Sequence, residues 1–166
     1  MSAKCLWLAV PLGFALIVWA DSAARPDLNG NWRLDPSLSE IHSHVPSELT
    51  WQIEQDDNSI HLIERSAEQK DADDVRCGTD GKDCKVKEGG HKASVSFYYN
   101  GPVLVELETE GSNAVTKKRM QLSSDGSKLT VEVIHVLPAG EGTEKLVLSK
   151  QAGPAQTAAT QASATH

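Results

Sequence analysis

No Gly-x-Ser-x-Gly elbow or other nucleophile setting occurs in the 166 residues, so the Ser, His and Asp present carry no hydrolase signal. Positive charge is short: 16 Lys and Arg stand against 23 Asp and Glu, a formal net charge of −7. That balance argues against binding nucleic acid or anionic lipid, both of which call for basic surface. Long apolar runs are missing apart from one at the start. Cys5 to Ala20 is free of charge but, at 16 residues, falls short of the roughly 20 needed to cross a bilayer. Cysteine is scarce, with three in the chain and only Cys77 and Cys84 beyond that run.

What is present begins with a leader. Lys4, the uncharged run and the small residues Ala20-Asp21-Ser22-Ala23-Ala24 have the layout of a secretory signal peptide, assigned to residues 1–24. Cleavage follows Ala20 or Ala24, and no membrane span is expected afterwards. Cys5 stands at the front of the run, not at its end, which argues against lipid attachment. The expected location is periplasmic or extracellular. An even pair of cysteines in an oxidising compartment favours a disulfide.

Residues 25–150 read as one all-β domain. Leu28, Gly30, Trp32 and Leu34 fall on one side of a first strand with period 2. The small Gly30 leaves room for the Trp32 ring to lie over the strand and plug one end of the core, so both residues are assigned structural roles. Pro36 ends the strand, and a polar connection with a helical turn near Ser39 runs to Pro46. Leu49, Trp51 and Ile53 then alternate with polar residues, as do Ile60 and Leu62. A loop at Asp57-Asn58 between the two runs sets Ile53 opposite Leu62.

The next hairpin is specified by Asp80-Gly81, a strong two-residue turn signal. Closing on it sets Cys77 opposite Cys84, Val75 opposite Val86 and Asp74 opposite Lys87. Directly opposed residues lie within disulfide range, so a Cys77–Cys84 bridge is expected. Turns at Asn100-Gly101, Gly111 to Asn113 and Asp125-Gly126 follow. The last sets Leu122 against Leu129 and Met120 against Val131. About ten strands in all, turning roughly every ten residues, predict an antiparallel up-and-down barrel of 8–10 strands, with a β-sandwich as the alternative. The tail, residues 151–166, is Ala, Thr, Gln and Ser with almost no large apolar group, and is expected to be disordered.

Gly30-x-Trp32 ahead of a meander of hairpins resembles the lipocalin family. The chain is more closely similar to a group of small exported bacterial proteins of unknown function. Its matching segments are Gly30 to Asp35, Asp80 to Lys82, and Ser123 to Thr130. The resemblance covers residues 28–150 and implies a barrel able to hold one small apolar molecule. A second lipocalin signature, Thr-Asp-x-x-Tyr, is absent, as is a C-terminal helix.

Other groups carry little chemistry. His42-x-His44 with Glu40 lacks further ligands at tetrahedral-site spacing, and Asp71-x-Asp73-Asp74 lacks the Gly and closing Glu of a calcium loop. No metal or cofactor is therefore expected. Trp51, Phe97, Tyr98 and Tyr99 form an aromatic set suited to a pocket wall or to core packing. Alternation assigns Trp51, Ile53, Leu62, Phe97 and Val133 inward, with His135 on the face of Val131 and Val133. Glu54, Lys118 and Glu132 are assigned outward. Such an inner wall desolvates a ligand but transfers no protons, which predicts binding of a small apolar or amphipathic molecule and no enzyme. The alternative function is a non-catalytic structural or protein-interaction module of the cell envelope.

Overall fold

The structure is a computed structural model that describes residues 24–42, 48–88, 91–111, 114–137 and 140–152. The predicted leader and tail lie outside the described residues except for Ala24, Gln151 and Ala152. Ten strands follow in order: β1 Gly30–Leu34, β2 Thr50–Gln55, β3 Ser59–Arg65, β4 Asp73–Gly78 and β5 Cys84–Glu88. Then come β6 His91–Asn100, β7 Val103–Glu110, β8 Ala114–Leu122, β9 Lys128–Leu137 and β10 Gly140–Gln151. They form one antiparallel sheet in the order β4-β3-β2-β1-β10-β9-β8-β7-β6-β5. The sheet curls until β4 and β5 lie side by side, giving a nearly closed barrel instead of a sandwich. β10 runs to Gln151, one residue into the segment read as tail, where Gln151 pairs with Asn31.

The turn dipeptides set most of the register. Ile53 opposes Leu62, Leu122 opposes Leu129 and Met120 opposes Val131. The cause is visible in the turns. Asp56 Oδ1 accepts the N–H groups of Asn58 at 2.8 Å and Ser59 at 2.6 Å, closing the β2–β3 loop. Asp125 accepts the Ser127 N–H at 3.0 Å and the Ser123 hydroxyl at 2.6 Å. Hydrogen bonds to the ionised form hold the Asp125 carboxyl down at about 2. Instead of the expected helical turn near Ser39, residues 36–38 form a simple turn under Asp35. Ser39 Oγ there accepts the Val147 N–H at 2.9 Å.

One hairpin departs from expectation. β4 pairs only with β3 and β5 only with β6, so the Val75–Val86 and Asp74–Lys87 pairs do not form a ladder. The connecting turn is bound elsewhere. Thr79 N–H reaches Asn58 O, Gly81 N–H reaches Phe97 O, and Asp80 bridges to Tyr98. With its backbone groups committed to β6 and to the β2–β3 turn, the segment cannot close on itself. Gly81, at φ 80°, supplies the left-handed step this path needs. The disulfide is still present: Cys77 and Cys84 are bridged across the seam with Cα atoms 5.9 Å apart.

The core lies inside the barrel. At one end Leu28 and Trp32 are fully buried, and the Trp32 Nε1–H donates to Leu28 O at 3.0 Å. Gly30 does not simply leave room for the ring. Its φ is +136°, and a Cβ there would sit 2.8 Å from Lys150 Cε. The Lys150 side chain passes that point to place its ammonium 5.2 Å from the Trp32 ring centre.

Candidate functional site: the inner wall of the barrel

All five residues assigned inward are buried on the inner face: Trp51, Ile53, Leu62, Phe97 and Val133 belong to one hydrophobic cluster with Trp32, Met120 and Leu148. Of the aromatic set, Tyr99 packs against this cluster, whereas the Tyr98 side chain alternates outward while its backbone bridges to Asp80. The Tyr99 ring lies 4.9 Å from the Arg25 guanidinium, and burial pushes its phenol up.

The rest of the inner wall is polar, which the sequence reading missed. Alternation on β7 turns Leu104, Glu106 and Glu108 inward together. Lys118 opposes both Glu106 and Val133, so it shares their face, and its outward assignment is corrected. Its ammonium lies 3.0 Å from Glu106 Oε1 and 3.9 Å from Glu108 Oε2. Burial is deep, with the Lys118 side chain 12% exposed and that of Glu106 1%. A buried ammonium of this kind persists only because a carboxylate meets it. Glu54 and Glu132 do face outward, the latter 2.8 Å from Arg119.

His135 shares the face of Val133 and lies across from Thr116, whose hydroxyl is 3.4 Å from its Nδ1. Glu144, beside Val133 on β10, is buried and accepts the His42 backbone N–H at 3.3 Å. Glu64 and Asp73 oppose one another on β3 and β4 near the same end. Among the described residues three buried inner-face atoms lack a hydrogen-bond partner: the acceptor Glu106 Oε2, the donor Trp51 Nε1 and the Tyr99 hydroxyl. Each such orphan costs free energy unless a guest or water meets it.

Candidate metal groups separate in space. Asp73 points inward, while Asp74 points outward to His61 Nε2 at 2.8 Å. His44 lies outside the described residues. Among the described residues no set of three His, Cys, Asp or Glu is placed to hold a metal ion. A groove of about 330 Å³ runs over the outside of β7–β10, walled by Arg119, Glu132, Lys145 and Glu40. Its charges pair with one another, Arg119 with Glu132 and Lys145 with Glu40.

No protein-family model and no curated protein matches the sequence. Solved structures do. The "REP1-NXSQ fatty acid transporter" aligns with a TM-score of 0.60 at 12% identity, over 77% of this chain and 98% of that one. An abundant heat soluble (SAHS) protein from Ramazzottius varieornatus gives 0.61 at 13%, over 74% and 94%. Zebrafish ileal bile acid-binding protein with cholic acid gives 0.58 at 14%, over 75% and 98%. The fold is lipocalin-like. Within this lipocalin-like barrel the polar wall could have been found from the register alone. The Asp125-Gly126 turn sets Lys118 opposite Val133, a residue already assigned inward.

Proposed function

We propose that this lipocalin-like barrel is an exported, non-catalytic binding protein that holds one small amphipathic molecule against its inner wall. The observation that carries the reading is the set of orphaned polar atoms, Glu106 Oε2, Trp51 Nε1 and the Tyr99 hydroxyl, on a wall that joins large apolar side chains to a charged half. Such a wall offers apolar burial to a ligand tail and hydrogen-bond partners to its head. Similarly folded structures named for fatty acid transport and for bile acid binding support the same chemistry. The Trp51, Ile53, Leu62, Phe97 and Val133 side chains form the apolar contact surface in this reading. Export, and membership of the small exported bacterial group, is supported by the Lys4-to-Ala24 leader pattern and by the disulfide. N-terminal sequencing of the native protein should start near Asp21 or Arg25.

The envelope-module alternative has less behind it. Among the described residues only Leu38 and Val136 are large, apolar and exposed, which makes no docking patch.

Titration of delipidated protein with 1-dodecanol, followed by tryptophan fluorescence, tests the reading. Saturable one-to-one binding is expected. Val133→Trp, which adds a ring to the inner wall between Lys118 and Glu144, should weaken it about tenfold or more at unchanged circular dichroism. Absence of saturable binding would move the assignment to the envelope-module alternative.

A further inference from the structure

We propose that the outer face of β5 and β6 carries an oxyanion site, which takes the phosphate or sulfate group of a small soluble molecule. The proposal is independent of what the barrel interior holds.

The first ground is unmet charge. The β5–β6 register sets Lys87 directly opposite Lys92, and Lys85 opposite Ser94. These four alternate with Cys84, Val86, Ala93 and Val95, which pack on the core, so they share the outer face. The three lysines are exposed, and among the described residues none of them has an ion pair or hydrogen bond. By contrast Arg33, Lys82, Lys118, Arg119 and Lys145 each meet a carboxylate. Like charges directly opposite on neighbouring strands destabilise the pairing. Lysines on β5 alone would guard its open edge against another chain. Lys92 lies on β6, which is paired on both sides, and guards no edge. Nearby acids do not answer the cluster. Asp83 walls the same groove, but it is one carboxylate against three ammoniums. Asp74, across the seam on β4, is held by His61 at 2.8 Å, and Glu88 alternates to the other face.

The second ground is geometry. An open groove of about 510 Å³ is walled by Lys85, Lys92, Ser94, Thr109, Asp83 and Gly111. Ser94 stands between Lys85 and Thr109 across the two ladders. Its hydroxyl is buried and has no hydrogen-bond partner. Unlike the three orphans of the inner wall, it belongs to this outer groove. A buried hydroxyl left unmet costs free energy, and an acceptor placed on it removes that cost. Lys85 and Lys92, exposed and tied to nothing, are free to turn over such a guest. Hydroxyls and ammoniums donate, while phosphate and sulfate bring several acceptor oxygens together with compensating charge. A net charge of −7 repels an anionic lipid plane as a whole. A small ion close to the lysines is screened from the remaining acids, so the ligand is soluble.

The test follows amide chemical shifts of the full disulfide-bonded protein at pH 7. Inorganic phosphate and then sulfate are titrated in, with sodium chloride holding ionic strength constant. Saturable shifts at Lys85, Lys92 and Ser94 are expected, with a Kd of about 1 mM. Lys92→Gln should weaken phosphate about threefold or more, and Ser94→Ala, which changes no charge, by about threefold. Lys145→Gln removes the same charge on the β10 side of the barrel and should leave the affinity unchanged. Shifts that follow ionic strength alone, or equal affinities in Lys92→Gln and Lys145→Gln, overturn the proposal. Full affinity in Ser94→Ala also overturns it, because the groove then plays no part. Phosphatidylcholine vesicles carrying phosphatidic acid should not sediment the protein. Sedimentation that is lost in Lys92→Gln would overturn the assignment to a soluble ligand.

Discussion

Lys118→Met is the sharpest test of the inner wall. The exchange keeps an unbranched side chain one atom shorter and removes the ammonium 3.0 Å from Glu106 Oε1, leaving a carboxylate that is 1% exposed without its cation. Two full charges at that distance, in surroundings of effective dielectric about 20, attract by about 5 kcal/mol. Glu106 keeps no second cation, and water has little access to it. Breaking a buried pair from one side typically costs about 3–5 kcal/mol, and that is the expected loss. It would remove a large part of a stability of order 5–15 kcal/mol. Urea unfolding at pH 7, with the disulfide intact and tryptophan fluorescence as the signal, measures it directly. The double variant Glu106→Leu/Lys118→Met removes both charges and should recover most of the loss, giving a coupling of at least about 2 kcal/mol in the cycle. A single-variant cost under about 1 kcal/mol, or a double variant as unstable as the two singles combined, would refute the placement of Lys118 inside the barrel.

Three further outcomes follow from particular contacts. Trp32→Ala, at a fully buried position whose indole also donates to Leu28 O, should cost about 3–5 kcal/mol in the same assay, and a loss under about 1 kcal/mol would mean an exposed ring. Replacing Cys77 and Cys84 by Ser opens a bridge of sequence separation 7, which chain entropy values at about 2–3 kcal/mol at most, and thiol titration of the unfolded, unreduced protein should find no free thiol at either residue. The carboxyls of Asp35, Asp56, Asp80 and Asp125 are all held below their ordinary value by hydrogen bonds within their turns. Their contribution is therefore complete above about pH 4 and is lost as pH falls through the lowered values, reaching about 2 for Asp125; Asp125→Asn should flatten that acid limb.

Where local chemistry decided structure, the sequence was readable. The Asp57-Asn58 and Asp125-Gly126 turns fix register through hydrogen bonds made within a few residues, so the Ile53–Leu62 and Met120–Val131 pairs were visible beforehand. The Asp80-Gly81 segment carried an equally strong local signal. Its backbone went instead to Phe97 O and Asn58 O, partners distant in sequence that no turn rule contains. Lys118 failed for a different reason. A lysine in a strand is usually solvated, and only Glu106, set opposite it by the β7–β8 register, makes its burial affordable. Hydrophobic alternation locates the apolar half of such a wall and passes over the charged half.

The seam between β4 and β5 bears on how two copies of the chain can go wrong together. Of the nine ladders among the described residues, eight join consecutive strands and one joins β1 to β10. Because β4 and β5 share no ladder, the one ladder holding β1–β4 to β5–β10 is that first-to-last contact, extended by the Glu40–Lys145 bridge. A four-stranded unit docked by a single ladder on a short tether is the arrangement from which domain-swapped dimers arise. For β1–β4 of one molecule to reach β10 of another, the tether between Cys77 and Cys84 has to extend. The disulfide fixes those two residues 5.9 Å apart at their Cα atoms, so the oxidised chain cannot open its own hinge. Reduction frees the hinge, and with it the route to intertwined dimers.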